Sequence, residues 1–373
     1  MNTLILITGA TGFLGGATAV DAIRRGLGHR LLFLVRGSDP QHGFARLIDN
    51  LKLLGADAAE LQQLDANNVL FADLDALALV AHDPRLQQVA VVIHCAALAT
   101  FAPHPGLESI NVNGTLALAG LLQHSKTLQR FVYISTAMAC GAHLFAKKDI
   151  PETAQLSMTQ EDHLVPYTRS KAIGERLLRE NFPDLPLIVV RPSIIVGHST
   201  LGCTPSQSIF WVFQTWHTLG VLTADMNDRI DVVPVDWCAA AIMTLAMKEN
   251  LTQKVFHLSA GGRSSQTFRQ IGKAMAAAKL ANVTTSEYEH IKVGDVELLL
   301  TRIRERIPHC NPRLLTRALK LYAEFASLNY VFSNNNVLDE GIPSPPRFTD
   351  YLALCVASTR DIPITRQMEW DFK

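Results

Sequence analysis

Tyrosine and lysine stand four residues apart in the segment Tyr167-Thr168-Arg169-Ser170-Lys171. In a helix this spacing places both side chains on one face, with their Cβ atoms about 6 Å apart. An ammonium roughly 5 Å from the phenol, at an effective dielectric of about 20, contributes about 3 kcal/mol and lowers the tyrosine pKa by around 2 units from its usual value near 10. Such a tyrosine can protonate a carbonyl oxygen at neutral pH. The pair predicts a proton-transfer site, although the same spacing is also common on surface helices.

Two hydroxyl side chains precede this segment in Ser135-Thr136-Ala137, at the end of the fifth predicted strand. In open α/β folds, ligands bind at the carboxyl edge of the sheet, where these side chains are expected to lie. One of the two hydroxyls can hydrogen-bond a substrate oxygen, and we expect it to be Thr136. The alternative is that both hydroxyls only satisfy backbone groups of a turn.

A glycine-rich turn follows the first predicted strand and opens the first predicted helix. Its spacing is GxxGxxG, with Gly9 for a tight turn, Gly12 for close approach of a pyrophosphate and Gly15 for packing of the helix on the sheet. The helix N-terminus would then bind the phosphates. The residues predicted to contact a dinucleotide here are Gly9, Thr11, Gly12, Phe13, Leu14 and Gly15. The alternative is a glycine-rich turn without a ligand.

The ends of the second and third predicted strands bear on the choice of dinucleotide. A carboxylate at the end of the second strand would bind a free ribose 2′-hydroxyl, but this strand ends with Arg36. A guanidinium there can pair with a 2′-phosphate, and Arg46 follows one short helix later. Asp73, followed by Leu74, is placed to receive the adenine amino group. We therefore expect NADPH rather than NADH, the alternative being that Arg36 is a solvated loop residue.

Short apolar runs alternate with helical stretches up to about residue 200, which predicts an α/β fold with a doubly wound parallel sheet of the Rossmann type. The predicted strands are Thr3–Thr8, Arg30–Val35, Val69–Ala72, Ala90–Cys95, Arg130–Ser135 and Leu187–Arg191, and the predicted helices include Gly12–Arg25, Leu107–Lys126 and Gln160–Phe182. Residues 1–200 would form the NADP-binding domain, with a strand or helix contributed from about 230–260.

Residues 201–373 are predicted to form a smaller, mostly helical substrate-binding part. Strands are expected at Ile230–Val235 and Val255–Leu258, helices from about Leu280 to Asn334, and loops through Gly341, Pro343, Pro345 and Pro346. The apolar stretch from Ser208 to Val221 fits a core helix, an acyl-chain tunnel or a membrane-surface stripe. His198 and His217 are the histidines expected nearest the substrate pocket.

Composition excludes several classes of partner. The 34 basic and 34 acidic residues cancel, and no basic run appears, so we expect no nucleic-acid partner. No stretch has the roughly 18 consecutive apolar residues of a membrane span, and no secretory signal opens the chain. The six cysteines and 13 histidines show no metal-ligand spacing, so we expect no metal site. Scattered cysteines favour a reduced, cytoplasmic compartment. Oligomeric state is not indicated.

Several motifs together resemble the extended short-chain dehydrogenase/reductase family across roughly residues 3–260. They are Thr8 to Gly15, His94-Cys95-Ala96-Ala97, Asn111 to Thr115, Ser135-Thr136-Ala137, Tyr167 to Lys171 and Arg191-Pro192-Ser193. The resemblance implies a Rossmann-type oxidoreductase with Thr136, Tyr167 and Lys171 as the catalytic trio. It also implies that Ala96, Ala97, Pro192, Ser193 and Lys171 line the cofactor and that Asn111 supports the site.

Within that family the chain looks most like thioester reductases and fatty acyl reductases, the proteins with a male-sterility type NAD-binding domain. The similarity rests on the strand ending at Arg36, on Arg191 to Gly197 and on Ile230 to Asp236. It implies reduction by NADPH of an acyl group carried on coenzyme A or a carrier protein to an aldehyde, and it leaves a second reduction to the alcohol open. No adenylation or carrier segment precedes Met1, so a carrier protein would be met in trans.

Two positions depart from the pattern of the carrier-protein reductases. Ala172 stands where many have tryptophan, and Met138 stands where an aromatic residue is frequent. These departures leave other acceptors open: a ketone or hydroxysteroid-type dehydrogenase, or a nucleotide-sugar epimerase. A third alternative is a regulatory protein that binds NADP without catalysis, which would have no need of Tyr167 and Lys171.

Overall fold

A seven-stranded parallel sheet forms the centre of the computed structural model, which describes residues 3–142, 149–153, 155–206, 208–278 and 288–368. The strand order is 3-2-1-4-5-6-7. The strands are β1 Leu4–Thr8, β2 Leu31–Val35, β3 Val69–Phe71, β4 Val89–His94, β5 Arg130–Ile134, β6 Leu187–Pro192 and β7 Val255–Leu258. Their apolar runs are buried because helices cover both faces. The predicted doubly wound α/β fold is confirmed.

Ten α-helices of seven or more residues occur in the described part of the chain. They are α1 Phe13–Arg24, α2 Pro40–Leu53, α3 Thr115–Leu122, α4 Pro166–Asn181, α5 Phe210–Leu219, α6 Val235–Met247, α7 Phe268–Ala277, α8 Leu300–Arg306, α9 Pro312–Ala326 and α10 Phe348–Thr359. One core cluster packs α1, α2 and α6 on one sheet face, and another packs α3 and α4 on the other. Shorter helices span Ala58–Leu61, Gly261–Ser264, Asn335–Asp339 and Ile364–Met368.

Some predicted boundaries differ from the structure for local reasons. The helix α4 begins at Pro166, not near Gln160, because proline occupies the first helical turn and Val165 is extended. The stretch predicted as one helix from Leu107 to Lys126 begins with a π-helical segment, Ser109–Gly114, and α3 ends at Leu122.

One prediction for the second half of the chain is wrong. Instead of one strand, Ile230–Val235 contributes only the short strands Arg229–Ile230 and Val232–Val233, and α6 begins directly after Pro234. The predicted loop through Gly341, Pro343, Pro345 and Pro346 is confirmed. The helix α10 follows it, and it is helical because Phe348, Tyr351, Leu352 and Cys355 recur on one buried face. The predicted helical start near Leu280 lies outside the described residues.

The C-terminal segment is fastened to the outer strand of the sheet. Glu152 accepts hydrogen bonds from the backbone N–H groups of His257 and Asn336, both at 2.8 Å, and the Asn336 side chain donates to the carbonyl of Val255 at 2.8 Å. Residues Val331–Phe332 pair with Asp149–Ile150. The exposed side of β7 is thereby covered. Among the described helices none has the length and hydropathy needed to cross a membrane.

Candidate active site

The glycine turn between β1 and α1 leaves no room for side chains at two of its glycines. Gly9 has φ +77°, and a Cβ there would lie 2.7 Å from the backbone nitrogen of Ala96. A Cβ on Gly15 would lie 2.4 Å from the Gly9 carbonyl oxygen. Both contacts are far inside normal van der Waals distance, so the turn keeps its tight shape only with glycine. The result is an open helix N-terminus at Gly12, facing the edge of the sheet.

Polar contacts brace this turn against neighbouring elements. The Asn50 side chain donates to the carbonyls of Ala10, at 2.9 Å, and Gly12, at 3.0 Å. Thr8 Oγ1 lies 2.7 Å from His94 Nδ1 and accepts from the backbone N–H of Ala96 at 3.1 Å. Burial lowers the pKa of His94 to about 3, so the imidazole stays neutral. The role of Asn50 was not predicted, because an asparagine facing the turn from α2 carries no local motif.

The three side chains predicted to recognise the adenosine end lie together. Arg36 Nη1 is 3.5 Å from Asp73 Oδ2, and Arg46 Nη1 donates to the carbonyl of Arg36 at 2.9 Å. The Arg36 side chain is 63% exposed, so its guanidinium is accessible to a ligand. Asp73 also accepts from the backbone N–H of Leu74 at 2.8 Å. Two cations beside one carboxylate leave a net positive group at this end of the cleft.

The helix α4 carries Tyr167 and Lys171 on one face, and a polar network holds its N-terminal turn. The Asn111 side chain donates to Ser170 Oγ at 2.9 Å and accepts from the backbone N–H of Leu98 at 2.7 Å. Ser170 Oγ donates in turn to the carbonyl of Tyr167 at 2.7 Å. Asn111 therefore links the loop after β4 to the helix that bears the two candidate catalytic residues.

The expected direction of the Tyr167 pKa shift is wrong. Burial raises the pKa of Tyr167 to about 12 instead of lowering it. Burial also lowers the pKa of Lys171 to about 7, because a charged ammonium is poorly solvated there. The spacing along the helix predicts attraction from a permanent ammonium and takes no account of desolvation of the phenol. At neutral pH Tyr167 is consequently a neutral donor.

The two hydroxyls after β5 differ in their surroundings. Thr136 caps the short 3-10 turn Ala137–Cys140, and its Oγ1 accepts from the backbone N–H of Met138 at 3.3 Å. The Thr136 hydroxyl proton remains available for donation, because accepting that bond uses only a lone pair. Ser135 Oγ is buried and has no hydrogen-bond partner among the described residues.

One cavity of about 640 Å³ joins the glycine turn, the arginines at the adenosine end, Thr136 and the face of α4 that carries Tyr167 and Lys171. Every residue predicted to bind the cofactor or to act in catalysis lines it: Gly9, Thr11, Gly12, Phe13, Leu14, Gly15, Arg36, Arg46, Asp73, Leu74, Ala96, Ala97, Thr136, Tyr167, Lys171, Pro192 and Ser193. The cavity crosses the carboxyl edge of the sheet at β1 and β4, where the strand order reverses. The glycine cradle, the cationic end and the volume together fit a nicotinamide dinucleotide.

Beyond Tyr167 the cavity continues into an apolar chamber formed by helices α5, α7 and α9. All ten residues of α5 are buried; Val212, Phe213, Trp216 and His217 line the chamber. The stretch from Ser208 to Val221 thus contains a core helix with one face on the cavity. His217 Nδ1 lies 2.7 Å from the Tyr288 hydroxyl, also on the wall, whereas His198 lies outside this cavity beside Asp236.

Aromatic residues that were not predicted from the sequence close the chamber beside Tyr167. The Phe101 ring centroid lies 6.4 Å from that of Tyr167 and 5.4 Å from those of Tyr322 and Phe325. Phe101 lies four residues after the His94-Cys95-Ala96-Ala97 motif, and this closeness in the sequence was the only indication that it belongs to the site. Among the described residues no group of three or more His, Cys, Asp or Glu side chains could hold a metal ion.

Comparison with known proteins assigns the family. The family model described as male sterility protein, an NAD-binding domain, matches residues 7–242. The chain belongs to this family. The match confirms the predicted enzyme class, an NAD(P)-dependent oxidoreductase.

Relatives of this family member include parts of much larger proteins, and the chain spans between 5% and 53% of the length of the curated relatives that it matches. It is 27% identical over 327 residues to glycine betaine reductase ATRR of Emericella nidulans, covering 82% of this chain and 25% of that protein. It is 24% identical over 283 residues to fatty acyl-CoA reductase wat of Drosophila melanogaster, covering 65% and 53%. The crystal structure of the terminal R domain from the myxalamid PKS-NRPS biosynthetic pathway superposes with a TM-score of 0.73 at 22% identity, covering 96% and 90%.

Proposed function

We propose that this oxidoreductase uses NADPH to reduce an acyl thioester, carried on coenzyme A or on a carrier protein, to an aldehyde and a free thiol. The observation that carries the proposal is the continuity of the cavity. The glycine cradle lies at one end, Tyr167 and Thr136 lie in the middle, and the apolar chamber lies beyond them. An acyl chain fits the apolar chamber, because burying each methylene there contributes about 0.8 kcal/mol.

The side chains support roles in donating protons to the substrate oxygen. When bound, the reduced dinucleotide supplies hydride to the thioester carbon. Tyr167, with its pKa raised to about 12, stays protonated and donates its phenolic proton to the carbonyl oxygen. The Thr136 hydroxyl donates a second hydrogen bond to the same oxygen as negative charge develops on it. The resulting hemithioacetal loses the thiol and becomes the aldehyde.

NADPH is the proposed cofactor because of the charge at the adenosine end. Arg36 and Arg46 flank the place where the second strand ends, and Arg36 has a mostly exposed guanidinium. A 2′-phosphate would pair with it through charge-assisted hydrogen bonds. Asp73 alone would give little preference for NADH over NADPH. A second reduction of the aldehyde to the alcohol would use the same groups.

The deciding assay mixes the purified protein with NADPH and a panel of thioesters. The panel contains acyl-CoA esters of graded chain length and the same acyl groups on a phosphopantetheinylated carrier protein. Loss of NADPH absorbance together with a trapped aldehyde is the expected result. Tyr167→Phe should lower kcat by a factor of about 10² to 10⁴, since it removes the proton donor. Inertness toward every thioester, combined with turnover of a ketone, would overturn the proposal.

A further inference from the structure

Lys171 occupies an unusual position for a cation. Its side chain is 1% exposed, and it forms no salt bridge with the described residues. The nearest carboxylate on its helix is Glu175, one turn later, and two arginines already hold it. Arg191 contacts Glu175 at 2.7 and 3.0 Å, and Arg179 contacts it at 3.2 Å. An ammonium buried without a carboxylate needs another source of stabilisation.

The side chain beneath Lys171 belongs to Tyr133 of β5. The ammonium nitrogen lies 4.4 Å from the centre of the Tyr133 ring, within the distance at which an aromatic face attracts a cation. The Tyr133 hydroxyl also donates to the backbone carbonyl of Lys171 at 3.3 Å. One buried side chain therefore contacts both ends of the same residue.

Helix α4 provides space for this tyrosine at Gly174. A Cβ on Gly174 would lie 2.6 Å from the Tyr133 hydroxyl, too close for any other residue. Glycine inside a helix costs about 1 kcal/mol relative to alanine, so the helix gives up local stability at this point. The space at Gly174 allows the Tyr133 hydroxyl to lie beneath α4 while the Tyr133 ring faces Lys171.

The remaining titratable groups around Lys171 do not replace the ring. Cys95 follows β4, and burial raises the pKa of its thiol to about 12, so it stays neutral near pH 7. His94 is neutral because burial lowers its pKa to about 3. Tyr167 is neutral as well. Cys95 and, less strongly, Glu175 are the groups that raise the Lys171 pKa. The neutral Cys95 thiol carries no charge near pH 7, and Arg191 offsets the charge of Glu175.

We propose that Tyr133 is a positioning residue whose ring keeps Lys171 charged and aimed along the catalytic face of α4. This inference rests on the reductase function proposed above and on Lys171 holding the nicotinamide ribose beside Tyr167 in the same cavity. Tyr133 itself does not touch the substrate or the cofactor, because its side chain is fully buried beneath the helix. Its effect is on the pH range over which the site binds cofactor.

The test compares three variants by cofactor affinity as a function of pH. Tyr133→Leu removes the ring, Tyr133→Phe keeps the ring and removes the hydroxyl, and Phe131→Leu is the matched control. Phe131 is a buried aromatic two residues earlier on the same strand and in the same core cluster as Tyr133. NADPH fluorescence gives the dissociation constant, and no thioester is needed.

In the unsubstituted protein, affinity should weaken above a midpoint near the Lys171 pKa of about 7. Tyr133→Leu should move that midpoint down by about 0.4 to 1.5 pH units, the equivalent of a cation–π interaction. Tyr133→Phe and Phe131→Leu should leave it unchanged. Equal midpoints in Tyr133→Leu and Phe131→Leu would overturn the proposal, because Tyr133 would then only fill space.

Two further measurements cover variants that fold poorly or bind no cofactor. Tyr133→pentafluorophenylalanine, compared with Tyr133→Phe, keeps the size of the ring and reverses its quadrupole, and it should also lower the midpoint. Labelling of the Lys171 amine with acetic anhydride at graded pH, read by mass spectrometry, reports its pKa without cofactor. If the labelling pH shifts but no thioester is reduced, the role of Tyr133 is supported and the reductase function is rejected. If thioesters are reduced but the labelling pH does not shift, the reductase function is supported and the role of Tyr133 is rejected.

Discussion

The buried pair of Glu175 and Arg191 should contribute much more to stability than its energy as an isolated contact. Glu175 has a fully buried side chain, and Arg191 is 1% exposed. Arg191→Met removes two hydrogen bonds to the carboxylate, at 2.7 and 3.0 Å, and one to the carbonyl of Thr153 at 2.8 Å. It leaves a buried carboxylate whose remaining hydrogen-bonded arginine among the described residues is Arg179, at 3.2 Å. Breaking such a pair typically costs about 3–5 kcal/mol.

Arg179→Met provides the matched control, because it removes the same residue type from the same carboxylate. The Arg179 side chain is 29% exposed, so its contact with Glu175 at 3.2 Å is partly solvated. Its loss should cost about 1 kcal/mol or less. The double variant Glu175→Leu, Arg191→Met should recover most of the loss, since neither charge of the pair then remains buried.

Denaturant unfolding followed by circular dichroism measures all three variants. The expected order of unfolding free energy is Arg179→Met, then the double variant, then Arg191→Met as the least stable. A loss of about 3 kcal/mol or more is a large part of the roughly 5–15 kcal/mol typical of a folded protein. If Arg191→Met and Arg179→Met lose equal amounts, burial does not govern this pair and the reasoning fails.

Four other predictions concern the cofactor cradle, the acyl chamber and the C-terminal fastening. Gly9→Ala should weaken cofactor binding at least tenfold in a fluorescence titration, because its Cβ would lie 2.7 Å from a backbone nitrogen. The control Gly262→Ala, whose Cβ would have no atom within 4 Å, should leave cofactor binding unchanged. Arg36→Ala should raise the KM for NADPH by a factor of about 10 or more and leave that for NADH unchanged, as expected for a lost charge-assisted hydrogen bond. Val212→Trp should raise the KM of long acyl thioesters and spare short ones, because Val212 lines the chamber. Burial raises the pKa of Glu152 to about 7, so the folded state keeps a proton that the unfolded state releases near pH 4.5. The unfolding free energy of the unsubstituted protein should therefore fall by about 1 kcal/mol or more between pH 5 and 7. This fall is measured relative to Glu152→Gln, which has no carboxyl group at this position.

The elements that depend on local pattern could be predicted from the sequence. The β-rich runs, the glycine spacing after β1 and the Tyr167 to Lys171 spacing are all encoded within a few residues. Each therefore indicated its place at the carboxyl edge of the sheet. The whole predicted site lines a single cavity because a parallel sheet brings those strand ends together.

Other features depend on contacts between distant segments and left no local signal. The direction of the Tyr167 pKa shift follows from burial by the surrounding fold, which spacing along α4 does not encode. The ring of Tyr133 meets Lys171 across 38 residues, and Phe101 meets Tyr322 and Phe325 across more than 200. The helix α10 lies beyond the predicted loop, and its start at Phe348 was not predicted.

The fastening of the C-terminal segment over β7 has a consequence for solubility. An uncovered edge strand presents free N–H and C=O groups that can pair with another chain. Here Glu152 and Asn336 occupy such groups at His257 and Val255. A chain shortened before residue 331 would lose Asn336 and the Val331–Phe332 strand, and it should self-associate through the bared edge while its glycine turn stays intact. A chimaera that takes its substrate-binding part from a relative should therefore keep this C-terminal segment together with the sheet that it covers.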